Sequence, residues 1–449
     1  MEVEVIVACD SLLPIEKLPS PGTFSVGALS SSVFSSGTSS LDATYPDTSP
    51  ASTFSSSTLQ ISLDNLDEST EQILKLDNIL PLDAIIAIDD KGVALAAAAT
   101  TALGLKGNKL EAATRTLHKD LLRKALSETE VPQPAYSILG NNASPQDVTN
   151  AIDAIGLPCV VKATSLSASQ GVIRANSYPE VDLAIERIRK IQATEGRSYD
   201  PILIERYIDG DEIAVEGLLT DGKLTILAIF DKPIPLVGPF FEESIYVTPS
   251  VHDSSLLQSA IDVTHRSVAA LQLREGPIHA EVRFENGRAY LIEVASRTIG
   301  GQCSNVLQFD NGRSLEEVVL ASSLGMEPHA YDAGKEDTLP NASLGAIRTV
   351  RAVCAGQKHL QIIPGYSGVC MISAQEKGVI KAIEGVDMAR QVESVTGVNI
   401  TTFPGAEVAP VPDGSRYIGF VFARDSSRTK LIDSLRKAAS MIYTVIEQT

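Results

Sequence analysis

Positive charge is scarce in this chain. Lys and Arg number 37 against 56 Asp and Glu, a formal net charge of −19 over 449 residues. So acidic a chain is a poor general binder of nucleic acid and is not drawn to anionic membranes. Any phosphate it binds is held locally, by backbone N–H groups, a few placed cations and metal ions. Long apolar runs are missing as well. A membrane span takes about 20 residues, and the longest mild stretch, 92–105, is rich in Ala and Thr and broken by glycine. The opening MEVEVIVACD has acids where a signal peptide has bases, so it reads as a first strand. The five cysteines are odd in number and form no C-x-x-C. That argues against a disulfide framework or a zinc knuckle and points to the reducing cytoplasm. A dinucleotide G-x-G-x-x-G, a P-loop and a fixed-period repeat are all absent.

What is present is ordinary globular material, 44% hydrophobic and 21% charged, enough for two to four lobes. Residues 3–8 read as a short strand. Residues 20–58 then hold 14 Ser and 6 Thr with Asp42 and Asp47 as the only charges, which reads as a loosely packed insertion. A helix over 69–80, a strand over 83–90 and an Ala-rich helix over 92–103 suggest a parallel α/β lobe. One helix over 111–127 carries His118, Lys119 and Arg123. A compact α+β lobe follows: helix 145–155, strand 158–162, helix 179–193 and strands 202–207, 212–219 and 223–231. Then come a long helix at 254–271, two strands at 278–284 and 289–294, short strands at 345–353, 368–373 and 379–383, and a final helix over 426–448. The expected divisions are 1–110, a link at 111–143, a central lobe at 144–220, a C-terminal lobe at 221–340 and an α+β subdomain at 341–449.

Three segments carry chemistry. Lys162 closes the apolar strand PCVVK and precedes the small-residue loop 165–171. Such a loop either cradles phosphate oxygens beside the lysine or simply joins two elements. Next, Glu205 and Glu212 lie seven residues apart around the Asp209-Gly210-Asp211 turn. They suit a base and a ribose, or form an ordinary acidic hairpin. The third segment is the most specific. Glu281 in IHAEVRF and Glu293 in YLIEVASR stand on adjoining strands. Paired carboxylates on a rigid hairpin suit a hard cation bridging phosphates. A two-residue Asn-Gly turn would send the pair to opposite faces, so a longer loop or a bulge is required if they share a metal. Arg297 follows at i+4, before the Gly300-Gly301 pair. It suits a developing negative charge, or a salt bridge to Glu281 or Glu293.

In this order the motifs resemble the ATP-grasp superfamily from about residue 60 onward. Within it they look most like the L-amino-acid ligases that make dipeptides, and like carnosine synthase. The residues carrying this are Asp89-Asp90-Lys91-Gly92-Val93, the GPIHAE and LIEVASR strands, Lys232-Pro233 through Gly238-Pro239-Phe240-Phe241-Glu242, and a tail with Pro404-Gly405 and 417–422. Ala295 replaces an Asn common at the second metal strand, and no biotin-carboxylase Met-Asn-x-Arg follows. The resemblance implies an ATP-grasp fold of mixed α/β and α+β class, with a parallel N-terminal lobe, a small central lobe and a C-terminal lobe bearing a β-rich subdomain. It implies ATP with Mg²⁺, for which Mn²⁺ substitutes. Lys119 and Lys162 would meet phosphates. The loop with Ser165, Ser167, Ser169 and Gly171 would close over them. Glu205, Arg206, Tyr207 and Ile208 would meet adenine, and Glu212 the ribose. Glu281 and Glu293 would hold the metal. Glu242, His279, Arg297, Gly300 and Gly301 would border the substrates, with Arg297 and Lys162 stabilising charge and His279 a candidate base. The implied reaction joins a small carboxylate to an amine, with amino acids foremost, through an acyl phosphate. A purine-pathway or natural-product acid, or an ATP-binding protein without turnover, are the alternatives. No nucleic acid or membrane partner is expected, and a homodimer is the default.

Overall fold

A computed structural model describes residues 61, 65–79, 81–309, 313–325 and 365–448, together with the backbone of three short strands nearer the start. Those strands are β1 (Val5–Ala8), β2 (Val26–Gly27) and β3 (Ser56–Ser57). Apart from the β2–β3 pair, the Ser/Thr-rich stretch lies outside the described residues, as does the strand expected at 345–353. No described helix is long and apolar enough to cross a membrane.

The N-terminal lobe contains α1 (Leu66–Asp77), β4 (Ala84–Ala87) and α2 (Asp90–Leu103). Asp89 caps α2 by accepting from Gly92 N at 2.9 Å, which leaves Asp90 at the first turn, facing the centre of the molecule. β4 pairs with β1 antiparallel rather than parallel as the alternation suggests. Alternation of element types does not encode direction, and 75 residues between the two strands allow the chain to return either way.

The helix expected over 111–127 is two helices, α3 (Leu110–Leu117) and α4 (Lys119–Glu128). His118 between them is extended (φ −126°, ψ 107°). The break lets Lys119 N donate to Thr164 O at 2.8 Å, tying α4 to the central lobe. That lobe is one antiparallel sheet of β5 (Tyr136–Leu139), β6 (Cys159–Ala163), β7 (Val172–Ala175) and β8 (Ile202–Arg206), in order β5-β8-β6-β7. Two amphipathic helices, α5 (Pro145–Ile155) and α6 (Tyr178–Thr194), cover one face. Val161, Ala163, Ile202 and Ile204 pack beneath them. By the two-residue period of a strand, Val160, Lys162 and Glu205 then point to the other face.

β9 (Glu212–Thr220), read in sequence as part of the central lobe, instead hydrogen-bonds into a large sheet. Its partners are β10 (Lys223–Asp231) and β12 (Gly276–Glu285). β13 (Arg288–Ala295), β11 (Ile245–Thr248), β14 (Tyr366–Ser373), β16 (Val395–Ile400) and β18 (Tyr417–Asp425) complete it. The order is β13-β12-β9-β10-β11-β14-β18-β16, so the C-terminal segment extends the same sheet rather than standing apart. Ile213, Val215 and Leu219 pack under α7 (Ser254–Ala270). Ala214 and Leu218 face α8 (Leu315–Ser323) on the other side. Burial on both faces explains why β9 reads as an almost unbroken apolar run.

The tail adds β15 (Gly378–Glu384), α9 (Val386–Arg390), β17 (Glu407–Val408) and α10 (Arg428–Met441). The last helix stops at Met441 and the chain becomes β19 (Tyr443–Glu447), which pairs with β15. The alternating Tyr-Thr-Val-Ile-Glu of that segment favours a strand over the helix expected to 448.

Candidate active site

Between the central sheet, the large sheet and the first turn of α2 lies a cavity of about 300 Å³. Lys119, Lys162, Ser167, Ser169, Glu205, Arg206, Tyr207, Ile208 and Glu212 all line it. So do His279, Glu281, Glu293, Arg297, Gly300 and Gly301. Residues drawn from four separate stretches of sequence thus meet in one space.

The glutamate hairpin settles the register question through a bulge. The turn is the tight one, with Glu285 opposite Arg288, yet Glu281 stands opposite Glu293. Ile292 is the extra residue that restores the two glutamates to facing positions. Its carbonyl accepts from Arg123 Nη2 at 2.7 Å. Arg123 is itself buried, and its Nε donates to Glu205 Oε1 at 2.6 Å. Lys162 Nζ meets the other oxygen of Glu205 at 2.7 Å. Burial alone would raise the Glu205 carboxyl, but Arg123 and Lys162 outweigh it and hold it down at about 2. Glu205 therefore anchors the two cations rather than standing open to a base.

Lys119 spans the cleft. Its Nζ donates to Leu166 O at 2.7 Å and to Glu293 Oε1 at 3.1 Å. The loop it touches has Ala168 and Ser169 in left-handed conformation (φ 52° and 58°). Ser167 and Ser169 reach the cavity, but Ser165 and Gly171 do not. The Ser165 hydroxyl donates to Asp200. Gly171 closes the β6–β7 hairpin, its carbonyl accepting from Ala163 N at 2.8 Å.

Sequence reasoning missed the most heavily engaged cation. Lys232 is 8% exposed and reaches Glu212, Glu243 and Glu281 at 2.6, 2.7 and 2.7 Å. Oxygens of these three carboxylates lie within 4.8 Å of one another. Burial works against the charge on Lys232, yet the three glutamates raise its pKa well above the ordinary value. Glu281 is correspondingly held well below its usual range: burial opposes this, and Lys232 and His279 prevail. Glu243, not Glu242, is the carboxylate of this segment that lines the main cavity. Glu242 is exposed and borders a small side cavity beside Ala168 and Ser169. Glu212 is shared between Lys232 and Arg283, whose Nε lies 2.6 Å from it.

His279 does not suit the role of base. Its Nδ1 is 2.5 Å from Glu216 Oε1 and its Nε2 is 3.8 Å from Glu281 Oε1. Burial lowers its pKa, but the two carboxylates raise it further, to about 9. The ring is therefore already protonated at neutral pH. Arg297 pairs with neither Glu281 nor Glu293. It makes a bidentate bridge to Asp90 at 2.9 and 3.0 Å, joining the large sheet to the N-terminal lobe.

Comparison with known proteins bears on the fold and family of the chain. Residues 155–306 match the ATP-grasp domain family, and residues 370–447 match the family described as L-amino acid ligase C-terminal domain 2. The alanine–anticapsin ligases of Bacillus amyloliquefaciens and Bacillus subtilis are 27% identical over 253 residues, 52% of this chain and 52% of theirs. The chain therefore spans about half the length of the curated relatives it matches. An L-amino acid ligase structure from Bacillus licheniformis superposes with a TM-score of 0.65 at 22% identity, over 87% of each chain. A carboxyaminoimidazole ribonucleotide synthase from Aspergillus clavatus, solved with ATP, gives 0.61 at 14% identity over 86% of this chain and 87% of its own. At these identities the likeness is one of fold.

Proposed function

We propose, from the premise that this chain joins an ATP-grasp domain to an L-amino acid ligase C-terminal domain 2, that it is an ATP-dependent carboxylate–amine ligase. Its substrates are amino acids, or an amino acid and a small amine. The observation that carries this is the bulge at Ile292, which turns Glu281 and Glu293 to one cavity shared with Lys119 and Lys162. Nothing in strand pairing favours two glutamates opposite each other, because like charges there repel. A cation-bridged anion gives the pairing a purpose.

The donor set fits Mg²⁺–ATP. Val160, Leu236, Phe241 and Ile292 give an apolar slot for the base, next to the Arg206–Ile208 backbone. Lys119 and Lys162 supply cations for the phosphates, and Glu281 and Glu293 supply hard oxygens for Mg²⁺ or Mn²⁺. When bound, the metal neutralises phosphate charge and orients the transferred group. Glu212, held between Lys232 and Arg283, borders the ribose.

A substrate carboxylate oxygen then attacks the γ-phosphorus, ADP leaves, and an amine displaces phosphate from the acyl carbon. Arg297, steered by Asp90, and Lys162 stabilise the negative charge that builds up. The departing phosphate takes the amine's proton, while His279, held protonated by Glu216 and Glu281, adds positive charge at the same end. Water is excluded by the 165–171 loop, whose Gly171 N is bonded to Pro412 O at 2.9 Å.

Incubating the protein with ATP, Mg²⁺ and pairs drawn from an amino-acid panel tests this. Phosphate release is expected only with a matching pair, together with a product mass equal to the two substrates less one water. Glu281→Ala or Glu293→Ala abolishes both. ATP binding with no ADP formed for any pair would sink the proposal.

A further inference from the structure

Besides the slot at Val160, Leu236 and Phe241, the cavity has a second largely apolar stretch of wall. It comprises Ile299, Met371 and Tyr417, the last two contributed by β14 and β18 of the C-terminal segment, beside Tyr246, whose hydroxyl donates to Glu243 Oε1 at 2.7 Å. Met371 is 5% exposed, and its backbone N donates to Ser244 O at 2.7 Å, fixing the residue against the large sheet. Its side chain lies on the bare face of Gly301. That glycine has φ +62°, and a Cβ there would fall 2.1 Å from Met371 Cε and 2.8 Å from Sδ. The thioether thus fills the room a side chain at position 301 would otherwise take. Tyr417 braces the same wall through an edge-on contact with Phe420, ring centroids 5.5 Å apart.

We infer that Met371 is a specificity-determining residue: it sets the length of the pocket that receives the apolar side chain of one amino-acid substrate. The inference rests on the ligase reading and deepens it. Arg297, Gly301 and Met371 line the same cavity, so an amino acid whose carboxylate meets Arg297 can lay its side chain along the wall that Gly301 and Met371 form. An unbranched thioether makes a compliant boundary, so pocket length follows the volume at this one position.

The test measures kcat/KM for Ala, Val, Leu and Phe against a fixed partner, by phosphate release and product mass, in wild type, Met371→Ala and Met371→Phe. Removing the thioether is expected to raise the Phe:Ala ratio about tenfold or more, the scale on which apolar pockets discriminate side chains by size. Met371→Phe should move the ratio the other way. If Met371→Ala fails to fold, the direction of the Met371→Phe change decides alone. Active variants whose ratio does not move, or whose kcat/KM falls equally for every amino acid, overturn the inference and leave the ligase reading standing. A wild-type chain that releases no phosphate with any pair removes that reading, and this inference with it.

Discussion

Lys232 illustrates how one side chain organises others. Its ammonium is the shared counter-ion of Glu212, Glu243 and Glu281. Removing one member of a buried ion cluster leaves the rest uncompensated and typically costs about 3–5 kcal/mol. Lys232→Met should therefore lower the denaturant midpoint markedly, and added Mg²⁺ should restore more stability to the variant than to wild type. Glu205 gives a prediction in pH. Its folded pKa is depressed from the ordinary 4.5 to about 2. The stability it contributes is thus complete above pH 4.5 and lost as pH falls through that window toward 2. The shift corresponds to about 3 kcal/mol. Acid titration of the melting temperature should show this slope, and Glu205→Gln should be less stable at neutral pH with a shallower slope below it.

At the scale of elements, the bulge at Ile292 and the loop 165–171 matter most. Deleting Ile292 removes the extra residue, so the pairing should become regular with Glu281 still opposite Glu293. ATP turnover should then persist while the far-UV circular dichroism stays close to wild type, and its loss in a folded deletion variant would contradict the facing pair as the metal grip. The loop is latched from the C-terminal segment. Gln170 Nε2 donates to Asp413 O at 2.9 Å, and the Asp413 carboxylate is gripped by Arg187 at 2.9 and 2.7 Å. Asp413→Ala should loosen this closure and admit water, raising phosphate release relative to amide formed several-fold. The need for either a longer loop or a bulge, if the glutamates share a metal, was readable in advance from strand alternation and the Asn-Gly turn, but not which of the two. Lys162 was readable as a lysine ending an apolar strand. Lys232 carries the same signature, ending the run KLTILAIFD, and that cue would have found it. The Asp90–Arg297 bridge had no such cue, since its partners are 207 residues apart and only the assembled lobes bring them together. Nor did local pattern separate Glu242 from Glu243: adjacent residues at the end of an irregular segment lack the strict alternation that assigns a face.

Over the whole molecule, the continuous eight-stranded sheet makes the C-terminal segment part of the site rather than an appendage. β14 pairs with β11, whose residues follow Glu243 in the chain, and β18 brings Tyr417 to the cavity. The sequence division at 341 recognised a change of composition but not that the sheet crosses it. Three lobes thus converge on one cavity, bringing Asp90 to Arg297, Lys162 with its loop, and the glutamate hairpin together; in the proposed reaction the last two meet the phosphates and the metal. The central claim is that a substrate carboxylate is activated by phosphoryl transfer in this space. It is tested most directly by following ¹⁸O from a labelled substrate carboxylate. One labelled oxygen should appear in the inorganic phosphate released with each amide formed. Phosphate free of label, or label transferred to AMP, would contradict the account.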